Sequence, residues 1–347
     1  MRRVIAGLAT LALAASLIVS VAPVASAGLP PSEWVIGPRQ RVVLLTFDGQ
    51  MKAKHLADVL ATLAARNVRA TFFLSGSWID HHPEKAAAIE EAGHVLGNRG
   101  YSTAAFTSLS ETELRSSISR AAESIRKVGG NPVPFLRAPK GQRSLSTLRV
   151  AGSMGYRSVR WTYRPGSGAA SAIKSKVVKK RQAGAIFSME PWRKSHRNAL
   201  GGIIDSLRSK GFGFRTVEAL RNVHAVRWDV TLRAGSSGPE VRYLEKELNS
   251  ITYPAGKADG EWTYATLQAV YAYEKYNGLT RDGVVTPAQM LDLATAQRPR
   301  TPDRGPRDFV DVDISKQILV EVRDRRVIHT LPISSGNEEY YTVDGQT

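Results

Sequence analysis

Arg41-Val42-Val43-Leu44-Leu45-Thr46-Phe47-Asp48-Gly49 is an apolar run too short for a buried helix, closed by a carboxylate and a glycine. It reads as a fully buried strand. Leu56, Val59, Leu60 and Leu63 follow at helical spacing, and Ala70-Thr71-Phe72-Phe73-Leu74 starts a second strand. Further along, Ser110 with Glu113 forms a capping box ahead of Leu114, Ile118, Ala121 and Ile125 on one helix face. Strand patterns recur at 133–137, 157–161, 185–189 and 212–216. Strand and helix thus alternate over residues 40–222, which predicts an α/β domain with a parallel sheet, open or closed into a barrel. In such folds the chemistry lies at the C-terminal ends of the strands.

On either side of this core the chain changes character. Arg2 and Arg3, an apolar run from Val4 to Ala22 and Ala25-Ser26-Ala27 read as a secretory signal peptide over residues 1–27. An uncleaved anchor is the alternative, and no later stretch is apolar for long enough to span a bilayer. Export points to a secreted, wall-associated protein. The chain has no cysteine, so neither disulfides nor a thiol nucleophile is available to it. Of the net charge of +17, residues 28–230 carry most, with 32 Lys/Arg against 14 Asp/Glu. Such a surface suits polyanions. Export favours an anionic wall polymer over nucleic acid, and a merely solubilising surface is the alternative.

Residues 231–295 read as a compact three-helix module. Pro239 opens the first helix, Asn277-Gly278 stops the second, and Thr286, Pro287 and Gln289 start the third. Residues 297–308 are rich in Pro and Arg and read as a linker. Asp308 to Ile333 then alternate as β-strands, opening a segment over 309–347 with too little sheet to be stable alone.

Four strand-end motifs stand in series. They are Thr46-Phe47-Asp48-Gly49, then Gly93-His94-Val95-Leu96-Gly97-Asn98-Arg99-Gly100-Tyr101-Ser102-Thr103, then Phe135-Leu136-Arg137-Ala138-Pro139-Lys140-Gly141, and Gly184-Ala185-Ile186-Phe187-Ser188-Met189-Glu190. In order and spacing they resemble the polysaccharide deacetylases of the NodB-homology family. The resemblance implies a distorted (β/α) barrel that removes acetyl groups from chitin, peptidoglycan or xylan with a bound divalent metal, usually zinc. Carried over by position, Asp48 is the general base, Arg137 orients it, and Glu190 stands where the family has a catalytic histidine. Gly49, Arg99 and Thr103 stand at the three metal-ligand positions. None of them supplies a zinc donor of the family's kind, so no metal and no other cofactor is expected. Arg99 is expected to take the place of the metal's charge and to pair with Asp48, Glu190 or both. A glycan-binding groove is expected to use Arg99, Lys140 and Trp192, with Trp161 more at home in the core. His94 is expected to pack or to hydrogen bond the backbone.

Residues 231–295 resemble the small peptidoglycan-binding module of exported wall enzymes, on Leu232 to Val241, Asp259-Gly260-Glu261-Trp262, Thr266 to Val270 and Gly278 to Val285. Trp262 is its expected ligand-facing ring. Residues 309–347 resemble the opening strands of an L,D-transpeptidase catalytic domain, on Phe309 to Gln317 and Leu331 to Gly336. That family uses a cysteine activated by a histidine, which this chain lacks. The expected function is therefore an exported protein that binds peptidoglycan or a related anionic glycan through a catalytically degenerate front domain. An active deacetylase, or the front part of a transpeptidase, are the alternatives.

Overall fold

The computed structural model describes residues 28–334, apart from 50–51, 133, 295 and 302–304. Residues 1–27, read above as a signal peptide, and residues 335–347 of the segment expected to resemble a transpeptidase lie outside the described residues. The chain opens with β1 (Ser32–Trp34) and β2 (Val42–Asp48), followed by α1 (Ala53–Ala64), β3 (Thr71–Leu74), α2 (Gly76–His81), α3 (Pro83–Glu91) and β4 (Val95–Asn98). It continues through α4 (Glu111–Lys127), β5 (Phe135–Leu136), α5 (Leu145–Ser153), β6 (Arg157–Val159), α6 (Ala170–Lys179), β7 (Ala185–Met189), α7 (Lys194–Ser209), β8 (Gly213–Arg215) and β9 (Val226–Arg227).

The sheet runs β7-β2-β3-β4-β5-β6-β1-β9, with β8 also paired to β2. Every pairing is parallel except β1 with β9. Every residue of β2 is buried, as befits a central parallel strand covered on both faces. The sheet curls so that the backbone just past β6 reaches β7. Thr162 donates its N–H to the Ile186 carbonyl at 2.8 Å, and Ser188 donates to the Tyr163 carbonyl at 3.1 Å. This is the distorted (β/α) barrel that strand–helix alternation and the family resemblance lead one to expect. The Ser110–Glu113 capping box forms as read.

Two strands lie outside the 40–222 span. β1 slots between β6 and β9, and its three residues carry too little periodicity to register as a strand in the sequence. Burial would raise the Glu33 carboxyl on β1, but Arg143 and Arg160 more than offset this and hold it below the ordinary range. Glu33 takes two bonds from Arg143, at 3.0 and 2.7 Å, and one from Ser158 at 2.6 Å.

The second unit is built from α8 (Pro239–Ser250), α9 (Tyr264–Asn277) and α10 (Pro287–Leu293), with Gly278 as the left-handed cap of α9. Its core is continuous with the front domain. Leu148, Val226 and Trp228 share one cluster with Val241, Leu244 and Leu248. The final sheet, β10 (Phe309–Asp313), β11 (Ile318–Arg323) and β12 (Arg326–Pro332), is antiparallel. It obtains from the helical module the burial it lacks alone. Tyr276 packs on its inner face, Thr330 donates to the Thr252 carbonyl at 2.8 Å, and Lys275 donates to the Ile333 carbonyl at 2.7 Å. Among the described residues no helix is long and apolar enough to cross a membrane.

Candidate functional site

The residues singled out by the motifs gather on one rim of the barrel, because register carries them there. Phe47 pairs with Met189, so Asp48 and Glu190 leave adjacent strand ends side by side. Asn98 pairs with Leu136, so Arg99 and Arg137 do the same across β4 and β5. Asn98 fixes its loop from within. Its Nδ2 donates to the Ile118 carbonyl at 2.9 Å, and its Oδ1 accepts from the Gly100 N–H at 2.9 Å.

Asp48 and Arg137 form a buried pair. Arg137 Nη1 lies 3.0 Å from Asp48 Oδ2 and 2.6 Å from Thr46 Oγ1, while its Nε donates to the Val159 carbonyl at 2.7 Å. Ser188, which the motif reading left without a role, also donates to Asp48 Oδ2. Asp48 Oδ1 and Arg137 Nη2 are buried without a protein partner.

Arg99 is buried rather than on the surface, but the ion pairs expected of it do not form. It lies in electrostatic reach of Asp48, Arg137 and Arg164, yet makes no ion pair within 4 Å among the described residues, and its Nη1 is buried without a partner. Glu190 instead pairs with Arg164 and, at 2.6 Å, with Arg193 Nε. Both arginines come from the flanking loops and reach the carboxylate more directly than Arg99 does. His196 on α7 props up the same corner. Its Nδ1 accepts from the Glu190 N–H at 3.0 Å, so its Nε2 carries the proton and donates to the Gly166 carbonyl at 2.7 Å. Burial lowers its pKa and keeps the ring neutral. No motif pointed to His196, whose role depends on a loop 30 residues away.

Two tryptophans frame the rim, each seated on a glycine. A Cβ added at Gly49 would lie 2.6 Å from the Trp192 ring, and one at Gly141 would lie 2.5 Å from the Trp161 ring. Gly49 also has φ of 92°, outside the comfortable range for a side chain. Trp192 is 38% exposed and Trp161 is half-buried, which leaves Trp192 the ring open to a ligand. Gly49→Asp is therefore expected to cost about 1–3 kcal/mol and to push Trp192 outward. Chemical denaturation and a red shift in tryptophan emission would check this, and an unchanged midpoint would contradict it.

Lys140 is exposed beside this rim on a left-handed residue, φ 57°. Trp262 is not the open ring expected in the helical module. It packs against the module's core with Nε1 buried, while Tyr264 nearby is 77% exposed. The turn that carries Trp262 folds its ring inward, which sequence position alone does not reveal. Two surface concavities, of about 540 and 490 Å³, lie away from the rim, one lined by Lys174, Lys179, Arg181 and Lys210.

The zinc implied by the family does not fit these residues. Glycine and arginine at two of the three ligand positions offer no donor, and Thr103 is solvent-exposed. Among the described residues no group of three or more His, Cys, Asp or Glu is placed to hold a metal ion. His94 lies apart from the rim. Its Nδ1 accepts from the Ala70 N–H at 3.2 Å, and burial lowers its pKa to about 4.

Residues 36–159 match the polysaccharide deacetylase family, and residues 237–291 match the putative peptidoglycan binding domain. The chain is 29% identical over 192 residues to a peptidoglycan-N-acetylglucosamine deacetylase of Bacillus cereus, covering 53% of this chain and 70% of that one. It is 23% identical over 189 residues to the peptidoglycan-N-acetylmuramic acid deacetylase PdaA of Bacillus subtilis, covering 52% and 72%. A mutant of a family 4 carbohydrate esterase pseudoenzyme with restored enzymatic activity, the wild type coming from Bacillus anthracis, superposes with a TM-score of 0.53 at 26% identity, covering 55% of this chain and 72% of that one. The chain thus carries a polysaccharide deacetylase domain of the family 4 carbohydrate esterase fold, joined to a peptidoglycan-binding domain.

Proposed function

We propose that this is an exported cell-wall protein that binds peptidoglycan or a related anionic glycan through a deacetylase-type domain that does not hydrolyse it. One observation carries the reading: a buried guanidinium, Arg99, stands where the resemblance puts a metal ligand. A hydrolase of this kind needs an activated water, and Asp48 by itself supplies only a base. The peptidoglycan-binding match, the deacetylase relatives and the open Trp192 ring support a glycan partner. The transpeptidase-like segment brings no nucleophile, since the chain has no cysteine.

A second reading, an active deacetylase, draws on the intact Asp48–Arg137 pair. Zinc content and acetate release from peptidoglycan separate the two. The purified chain is expected to be retained on sacculi, to carry no stoichiometric zinc and to release no acetate. Stoichiometric zinc, with acetate release abolished by Asp48→Asn, would overturn the binding reading.

A further inference from the structure

The charges on the rim are unevenly satisfied. Asp48, Arg99 and Arg137 are 6%, 8% and 2% exposed, so all three are more than nine-tenths buried. Each keeps a buried polar atom without a protein partner: Oδ1, Nη1 and Nη2. The buried Glu33–Arg143 pair of the same domain is joined instead by two hydrogen bonds. Burial depresses the Arg99 guanidinium, Asp48 offsets part of this, and Arg137 and Arg164 add to it, so the three side chains belong to one electrostatic cluster. With Arg164, Arg193 and Glu190 beside it, the rim holds four guanidinium groups and two carboxylates. The excess is positive, at a place where unpaired donors are costly.

We propose that Arg99, Arg137 and Asp48 form a carboxylate-binding subsite that takes a sugar bearing both an acid group and a hydroxyl or amide N–H. The proposal rests on the glycan-binding reading above and names its ligand class. Arg99 Nη1 and Arg137 Nη2 supply two charge-assisted donors for the carboxylate. Asp48 Oδ1 accepts from the neighbouring hydroxyl or N–H. Trp192, lying against Gly49 next to Asp48, offers its open ring face to the sugar. Inorganic phosphate has no ring face to set against Trp192, so the acid sugar makes a contact that phosphate lacks.

The test is an equilibrium titration of the full chain with N-acetylmuramic acid, with N-acetylglucosamine as the neutral counterpart and inorganic phosphate as the other anion. The acid sugar is expected to bind at least about tenfold more tightly than the neutral one, the gain that a single charge-assisted bond implies, and phosphate more weakly than the acid sugar. Arg99→Gln removes the preference, Arg99→Lys keeps part of it, and Arg99→Gln is expected to hold the unfolding midpoint, because it removes a buried charge that has no ion pair among the described residues. Retention on sacculi is measured in parallel. Equal binding of the two sugars with retention intact overturns this subsite alone, as does tighter binding of phosphate or a preference that survives Arg99→Gln. Loss of retention by the unmodified chain overturns the binding reading and this inference together. The comparison of sugars on the unmodified chain needs no variant to fold.

Discussion

Arg137→Met is expected to lower the unfolding free energy by about 3–5 kcal/mol, because removing one member of a buried ion pair leaves the other charge uncompensated. Arg137 is enclosed by Thr46, Asp48 and Val159, which accept from its Nη1 and Nε, and by the Phe73 ring 4.1 Å beneath the guanidinium. Its loss leaves Asp48 with the Ser188 hydroxyl as its one hydrogen-bond donor among the described residues and Arg99 only within electrostatic reach. Asp48→Asn in the same background removes the stranded charge and should recover about 1–3 kcal/mol as a coupling energy. Denaturant unfolding of the two single variants and the double variant measures this cycle. A loss below about 1 kcal/mol, the range of exposed pairs, would mean that the pair is solvated and the rim more open than its burial implies.

Trp228→Ala should cost a similar amount, about 3–5 kcal/mol, for a different reason. Trp228 is fully buried where the barrel meets the helical module. It meets Tyr243 edge to face at 5.4 Å, and the Arg143 guanidinium lies 5.6 Å from its ring. Its backbone N–H donates to the Pro31 carbonyl at 2.9 Å. The substitution opens a cavity within a cluster that spans both units, so their unfolding should also separate. Calorimetry is expected to show one cooperative transition for the unmodified chain and two for the variant. Trp228→Phe should cost much less, since it keeps an aromatic ring and removes an indole N–H that is buried without a partner. Equal losses for Ala and Phe would show that the ring does not join the two cores.

Local patterns made most of the architecture legible. The run from Val42 to Phe47, the capping box at Ser110 and the helix stop at Gly278 each depend on near neighbours in the chain, and each forms as its chemistry dictates. β1 escaped notice because three residues cannot display a period, and its strand character comes from its neighbours β6 and β9. The site was legible as a set of positions but not as a set of bonds. Asp48 with Arg137 formed as the motifs imply, while Glu190 took Arg164 and Arg193 in place of Arg99. Ser188 and His196 entered the site without any motif to announce them.

By itself the sequence determined the parallel α/β core, the three-helix module and which residue types stand at the strand ends, because strand period, helix period and capping are short-range properties. Only the tertiary structure decided which charges meet. An arginine reaches several partners from one Cα position, and which one it takes depends on loops brought together by strand register. The tertiary structure also decided that Trp192 lies over Gly49 while Trp262 turns inward, and that a single core joins the barrel to the module. Burial of a side chain against residues distant in the chain leaves no local signature.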